Sequence, residues 1–274
     1  MVSDYQTHKH HRALIFDSGV GGLSVVREIR KRLPELALDY VADDAFRPYG
    51  EKSEAELIDR LPGLLATLSE MVSPDCIVIA CNTASVTALD AIRDAVDPPV
   101  IGVVPAIKPA AAWSRTGTIG VLGTPGTVRR KYVDSLIQRF AGECQVVLQG
   151  SVNLVEMAER KLAGDPLDLN DIRREIAPLF DGREGADIDV VVLACTHFPL
   201  LRAELKQATR QTVRWIDSGA AIAKRVEVIL GQMEKQNRIV RPDTAFLIGP
   251  GAGLKREKAF RSFGFESLVG LVPE

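Results

Sequence analysis

The sequence predicts an α/β protein built from two similar lobes. Short runs rich in β-branched residues alternate with segments of helical periodicity, as in parallel strands joined by helices. Two runs, Cys76–Cys81 and Val191–Cys195, share one pattern: an apolar stretch, then Ala-Cys, then a hydrogen-bonding side chain. At 274 residues the chain can form two compact units. We therefore predict two pseudo-symmetric, Rossmann-like lobes with mostly parallel sheets and an active site in the cleft between them.

The composition is typical of a soluble protein and argues against several classes of partner. The chain is 46% hydrophobic and 26% charged with a formal net charge of -2, which does not suit a nucleic-acid-binding surface. No apolar run reaches about 18 residues, so no membrane partner is expected. The four cysteines lack CxxC spacing and indicate reduced thiols. We predict a cytoplasmic protein.

The chain order predicts a discontinuous first lobe. Residues 1–12 hold three of the four histidines in a polar segment without periodicity, for which we predict a flexible arm, although such a tract could also hold a metal ion. The first lobe is predicted to comprise residues 13–105 plus 215–274, and to carry Cys81. The second lobe is predicted to comprise residues 106–214, and to carry Cys195.

The first lobe begins with a predicted strand, a glycine loop and a helix. The strand Ala13–Phe16 leads into Asp17-Ser18-Gly19-Val20-Gly21-Gly22 and then into an amphipathic helix that ends at Pro34. Free amides at such a helix start favour an anion, but the loop lacks GxGxxG order and supports a dinucleotide site only weakly. A turn that serves strand–helix packing would explain the glycines, but not Asp17 and Ser18.

Two further strand–helix units complete the first part of this lobe. The strand Leu36–Ala42 is followed by a loop in which Pro48 and Gly50 flank Tyr49, so the Tyr49 ring could form a pocket wall. A helix over residues 53–71, interrupted near Pro62, leads to the strand before Cys81. The remaining predictions here are a helix from Thr83 to Val96 capped by Asn82 or Thr83, and a strand from Val100 to Val104.

The second lobe repeats the order of strand, loop and helix. The strand Thr118–Leu122 is followed by Gly123-Thr124-Pro125-Gly126-Thr127 and a helix over residues 128–140. Cys76 and Cys144 have no polar companion and are predicted to be buried, small apolar residues. The other predicted elements are helices over residues 106–113, 153–162, 166–180, 200–209 and 220–233, strands over 145–148, 213–216 and 244–249, and a short terminal helix.

Cys81 and Cys195 are candidate reactive residues because each lies where a strand passes into a helix. Such a junction favours the thiolate, and ligands of open α/β sheets bind at the carboxyl ends of strands. Zinc would require more ligands than the nearby His197 provides, and a redox disulfide is neither supported nor excluded. A third chemistry is proton transfer at one carbon, with a base on each face. Two buried structural cysteines are the remaining alternative.

Four motifs in one order resemble a known family. They are Asp17-Ser18-Gly19-Val20-Gly21-Gly22-Leu23, Pro48-Tyr49-Gly50-Glu51-Lys52-Ser53, Ala80-Cys81-Asn82-Thr83-Ala84-Ser85 and Leu193-Ala194-Cys195-Thr196-His197-Phe198-Pro199-Leu200-Leu201. From about residue 14 to at least residue 231 the chain is similar to the glutamate racemases of the aspartate/glutamate racemase superfamily. The resemblance implies a cofactor-independent enzyme that interconverts L- and D-glutamate and supplies D-glutamate for peptidoglycan.

The resemblance also implies roles for individual residues. Cys81 would deprotonate D-glutamate and Cys195 L-glutamate, while Asp17 and His197 would assist proton transfer at the thiols. The residues implied to bind the amino and carboxylate groups are Ser18, Tyr49, Gly50, Asn82, Thr83 and Thr196, with Thr124 or Thr127 as a weaker candidate. Asp43 and Glu159 match acidic family positions, with Asp44 and Glu156 as close competitors.

Partners and competing activities follow from the same resemblance. The expected partner is a small-molecule substrate, with a peptidoglycan-precursor activator and a homodimer also implied by the family. Aspartate racemase, hydantoin racemase and maleate isomerase use paired cysteines too, but they usually lack the Pro-Tyr-Gly and Cys-Thr-His-Phe-Pro-Leu strings together. A binding protein for an acidic amino acid that has kept the fold without catalysis is the alternative from another class.

Overall fold

The computed structural model describes residues 7–249 and 254–272, which form two parallel β-sheets with helices on both faces. The strands are β1 Thr7–His10, β2 Arg12–Asp17, β3 Ala37–Asp43, β4 Cys76–Ile79, β5 Val100–Gly102, β6 Thr118–Gly123, β7 Gln145–Gly150, β8 Val190–Leu193, β9 Arg214–Ile216, β10 Gln236–Ile239, β11 Thr244–Ile248 and β12 Ser267–Leu271. The predicted α/β fold with parallel sheets is confirmed. The six-stranded sheet has the order β12-β11-β3-β2-β4-β5 and the four-stranded sheet the order β7-β6-β8-β9.

Twelve α-helices within the described residues cover these sheets. Two 3-10 turns, Tyr49–Glu51 and Phe198–Leu201, precede helices at the edge of the cleft. The helices are α1 Leu23–Arg32, α2 Glu54–Val72, α3 Asn82–Ala95, α4 Ile107–Trp113, α5 Pro125–Val128, α6 Lys131–Phe140, α7 Asn153–Ala163, α8 Leu169–Phe180, α9 Gly182–Ala186, α10 Arg202–Ala208, α11 Gly219–Leu230 and α12 Leu254–Ser262.

Each sheet has an apolar core on both faces. In the six-stranded sheet α1, α11 and α12 cover one face and α2 and α3 the other. In the four-stranded sheet α7, α8 and α10 cover one face and α4 and α6 the other. The strands β4 and β8 are buried at every position, which explains why their sequences are continuous apolar runs.

The chain passes from the second sheet back to the first after residue 216. The predicted crossing at residue 214 falls inside β9, where Trp215 and Ile216 pack in the cores of the four-stranded sheet. The following helix, α11, packs against α1 of the other sheet. Helix α12, which covers the six-stranded sheet, also contacts α7, which covers the four-stranded sheet.

The prediction of a flexible arm over residues 1–12 is wrong for residues 7–12, and residues 1–6 lie outside the described part. The strand β1 pairs antiparallel with β10, and Arg12 begins β2 with its side chain buried against Asp39 at 3.2 Å. The Arg12 backbone N–H also donates to Asp75 at 2.8 Å. The sequence pattern did not predict these two strands, because β1 and β10 are polar and lie far apart along the chain.

Three local predictions also need correction. The helix α2 continues through Pro62; the proline leaves the carbonyl one turn earlier without its N–H partner, and that carbonyl belongs to the exposed residue Ile58. The N-cap of α3 is Cys81 itself, not Asn82 or Thr83. Cys144 is partly exposed, whereas Cys76 is fully buried as expected.

Among the residues that the structure describes, none of the helices combines the length and the apolar character needed to cross a membrane.

Candidate active site

Both candidate thiols lie at the carboxyl ends of central strands. Cys81 follows β4 and starts α3, and Cys195 follows β8 with only Ala194 between. Each is nearly buried, at 6% and 7% exposure. Since parallel strands present their carboxyl ends at one edge of a sheet, each sheet delivers one sulfur to the cleft.

The two sulfurs meet in one cavity of about 280 Å³. Side chains and backbone from both sheets form its wall, so the cavity exists only where the two halves of the molecule come together. Of the residues singled out from the sequence, the cavity is lined by Ser18, Tyr49, Gly50, Cys81, Asn82, Thr83, Thr124, Thr127, Glu159, Cys195, Thr196 and His197.

Asp17 lies behind the cavity wall rather than in it. The carboxylate is fully buried and accepts hydrogen bonds from the Gly19 N–H and from the Thr196 hydroxyl, both at 3.0 Å. The Ser18 hydroxyl lies 3.3 Å from Asp17 Oδ1 and 3.7 Å from Cys81 Sγ. Burial raises the pKa of Asp17, although the nearby His197 opposes this. Asp17 therefore reaches the Cys81 sulfur through Ser18.

Cys81 is a neutral thiol at neutral pH in this structure. Burial, together with the charge of Asp17, raises the pKa of Cys81 to about 12. A neutral thiol can donate a proton but cannot remove one. In this resting state Cys81 is therefore prepared to act as an acid.

Cys195 has a cationic neighbour. His197 Nδ1 lies 3.9 Å from Cys195 Sγ, and His197 Nε2 lies 3.6 Å from Glu159 Oε1. Burial acts to lower the pKa of His197, but its contacts with Cys195 and Glu159 prevail and raise it to about 10. The imidazole is therefore protonated at neutral pH and places a positive charge beside the Cys195 sulfur.

Tyr49 forms a buried wall of the cavity, as predicted, but its hydroxyl is already engaged. The hydroxyl donates to Asp43 Oδ2 at 2.6 Å, and Asp43 in turn accepts two hydrogen bonds of 2.7 Å from Arg60. Asp43 thus supports Tyr49 from outside the cavity. Its competitor Asp44 pairs with Arg256 and Arg47.

The cavity wall includes residues that sequence reasoning missed. Arg47 lines the cavity next to the Pro48-Tyr49-Gly50 string, and its position beside that motif was a usable signal. Val152 and Val155 line it from the N-terminal side of α7, and no local pattern distinguishes them from other apolar residues. Glu159 lines the cavity, whereas its competitor Glu156 does not.

Among residues 7–249 and 254–272, no group of three or more His, Cys, Asp or Glu side chains is arranged to hold a metal ion. The groups in the cavity wall that can transfer protons include the two thiols, the imidazole of His197 and the carboxylate of Glu159.

The fold and the shared cavity together define a two-lobed α/β enzyme with one thiol from each sheet. The model of the Asp/Glu/Hydantoin racemase family matches residues 21–226, which is most of the chain. The chain belongs to the Asp/Glu/Hydantoin racemase family.

Individual relatives agree with this family. Glutamate racemase of Escherichia coli (strain K12) is 44% identical over 259 residues, covering 94% of this chain and 90% of the relative. Glutamate racemase of Shewanella sp. (strain ANA-3) is 48% identical over 230 residues, covering 84% and 83%. The crystal structure of Escherichia coli glutamate racemase in complex with L-glutamate and the activator UDP-MurNAc-ala is 43% identical, with a TM-score of 0.89 over 96% of this chain and 98% of that one.

Proposed function

We propose that Cys81 and Cys195 are the two bases with which this chain interconverts L-glutamate and D-glutamate. The chain is a glutamate racemase, since relatives of that name are 44% and 48% identical to it over most of its length, and this activity supplies D-glutamate for peptidoglycan. The observation that supports the two-base assignment is the single cavity that receives one sulfur from each sheet.

In the direction from L- to D-glutamate, Cys195 acts first. Its thiolate removes the α-proton, so that the Cα–H bond breaks, an S–H bond forms, and the electron pair stays on a planar carbanion. The neutral thiol of Cys81 then gives its proton to the other face, and an S–H bond is exchanged for a new Cα–H bond. The reverse reaction uses the two sulfurs in the opposite order.

The neighbours of each sulfur fit these roles. Protonated His197 stabilises the Cys195 thiolate before the reaction. It can lose or regain its own proton as the charge of Cys195 changes. On the other side the Ser18 hydroxyl, which donates to Asp17 Oδ1, can turn to donate to the Cys81 thiolate once Cys81 has lost its proton. Each thiol therefore has one assisting group.

Substrate carboxylates and the amino group are held by the polar wall. The helix α3 starts immediately after Cys81, so the free amides of Asn82 and Thr83 favour a carboxylate close to this sulfur. Ser18 and Thr196 lie near the two thiols and suit the amino group. At the part of the wall formed by Tyr49, Gly50 and Thr124, we place the side-chain carboxylate.

Incubation of L-glutamate in D₂O without pyridoxal phosphate tests the function. We expect the α-proton signal to disappear while D-glutamate accumulates, with deuterium at the α-carbon of the product. L-Aspartate serves as the control substrate. Its side chain is shorter, so its side-chain carboxylate would not reach the wall formed by Tyr49, Gly50 and Thr124 while its α-carbon lies between the two thiols. Formation of D-aspartate but no D-glutamate would contradict the assigned substrate.

Gly126→Ala should separate the two walls of the cavity. A Cβ at Gly126 would lie 2.0 Å from the backbone oxygen of Gly50, so the α5 wall and the Tyr49–Glu51 turn must move apart. We expect kcat/KM for racemisation to fall at least about tenfold. Gly63→Ala is the matched control, since nothing lies within 4 Å of its Cβ; it should leave kcat/KM unchanged and stabilise α2 by about 0.5–1 kcal/mol. Equal kinetics in the two variants would show that the cavity tolerates the separation.

Three further properties are proposed, one from a relative and two from the resemblance of the sequence to the family. The Escherichia coli structure contains the activator UDP-MurNAc-ala, and we propose that a peptidoglycan precursor of this kind also activates the present chain. A homodimer and a cytoplasmic location are proposed with it. Addition of the precursor during the D₂O experiment, and light scattering of the same sample, test the first two.

A further inference from the structure

Arg47 and Glu159 form the partition between the active-site cavity and a second cavity of about 270 Å³. Arg47 comes from the loop before Pro48, on the side of the six-stranded sheet, and Glu159 comes from α7 on the other sheet. The Arg47 side chain is 40% exposed. It therefore has space on the far side of the partition and can change its position without repacking the core.

One carboxylate oxygen, Glu159 Oε1, faces two positively charged side chains, Arg47 and His197. Arg47 Nη1 lies 2.6 Å from Glu159 Oε1, and His197 Nε2 lies 3.6 Å from the same oxygen. Among the described residues the buried Nε2 has no hydrogen-bond partner. Arg47 thus holds the oxygen that the imidazolium would otherwise use.

The groups that face His197 are few and can be named. Cys195 lies at Nδ1, Glu159 approaches Nε2, and the carboxylate of Asp17 acts on the ring from the end of β2. Arg47 and Arg256 act through Glu159, since Arg256 Nη2 lies 3.7 Å from Glu159 Oε2. Two guanidinium groups therefore compete with one imidazolium for the charge of Glu159.

We propose that Arg47 is a positioning residue that, by sharing Glu159 Oε1 with His197, sets how firmly the imidazolium beside Cys195 is held. The proposal rests on the proposed function, in which His197 assists Cys195. A carboxylate free to bind Nε2 would stabilise the imidazolium, and the Cys195 thiolate beside it would become a weaker base. Arg47 therefore weakens the ion pair between Glu159 and the His197 imidazolium, so that the Cys195 thiolate stays basic enough to remove the α-proton.

The direct test is a titration of His197 by ¹⁵N NMR, with His197→Asn used to assign its signals. In Arg47→Gln we expect the midpoint to move to higher pH by about half a unit or more, because a competing cation is removed. Arg47→Lys keeps the charge and should titrate close to the unmodified protein. An unchanged midpoint in Arg47→Gln overturns the proposal.

Arg130→Gln is the control for a general effect of losing a cross-sheet ion pair. Arg130 pairs with Glu54 at 3.0 Å, outside the set of groups around His197. This variant should leave the His197 midpoint unchanged. The same shift in Arg130→Gln as in Arg47→Gln would overturn a specific role for Arg47.

A double-mutant cycle identifies the route of the effect. If Arg47 acts through Glu159, Arg47→Gln should shift the alkaline limb of kcat/KM upward in the unmodified protein but hardly at all in a Glu159→Gln background. Additive shifts overturn the proposal. The NMR titration needs no turnover, so a protein without racemase activity would refute the proposed function while the test of Arg47 still gives its own answer.

Discussion

Replacing either Cys81 or Cys195 by serine is expected to lower kcat/KM for racemisation by about 10²–10⁴-fold. A serine hydroxyl is too weak an acid to be present as a base at neutral pH, so either variant lacks one of the two proton-transfer groups. Because the two enantiomers have the same free energy in water, kcat/KM must fall equally in both directions. The substitution changes little in volume, and the folded structure should be retained.

Exchange of the α-proton with D₂O distinguishes the two sulfurs. Cys81→Ser keeps Cys195 with its imidazolium and should still exchange the proton of L-glutamate. Cys195→Ser keeps Cys81, and because the pKa of Cys81 is about 12, exchange of D-glutamate should become measurable only at alkaline pH. If Cys81→Ser instead exchanged D-glutamate and Cys195→Ser exchanged L-glutamate, the assignment of each sulfur to one face of the α-carbon would be reversed.

Cys144→Ser is the matched control for these variants. Cys144 is partly exposed and does not line the active-site cavity, so its substitution should leave racemisation and exchange unchanged. Full racemase activity in Cys81→Ser or in Cys195→Ser would remove that sulfur from the mechanism.

The sequence was sufficient to find the two thiols and the edge of each sheet on which they lie. Both follow from local pattern, because a buried parallel strand needs a continuous apolar run and its carboxyl end faces the ligand side. Another local pattern, the turn residues Pro48 and Gly50, predicted that Tyr49 forms part of the cavity wall. These features depend on residues close together in the chain.

What the sequence did not reveal depends on how the two sheets pack. The depth of Asp17 behind Ser18 and the meeting of Arg47 with Glu159 are set by contacts between segments more than a hundred residues apart. Strand β1 was missed for a related reason, since it gains order only by pairing with β10. A local pattern carries no information about such partners.

His197→Asn is expected to lower kcat by about 10²-fold while KM stays within a few-fold. Asparagine can hydrogen-bond but carries no positive charge, so the Cys195 thiolate loses its counter-ion, whereas the polar wall that binds the substrate is retained. The pH dependence of kcat/KM and a thermal unfolding scan check both points. An unchanged kcat would return His197 to a packing role.

The pH dependence of its charge provides an independent check on the role of His197. The pKa of His197 is raised from 6.5 to about 10 in the folded protein, so its contribution to the free energy of unfolding is complete below pH 6.5 and is lost as pH rises through about 10. The charge can be read directly by ¹⁵N NMR, which should show His197 as an imidazolium between about pH 7 and pH 9.5 and a titration midpoint near pH 10. A neutral imidazole in this pH range would mean that Cys195 has no cation beside it.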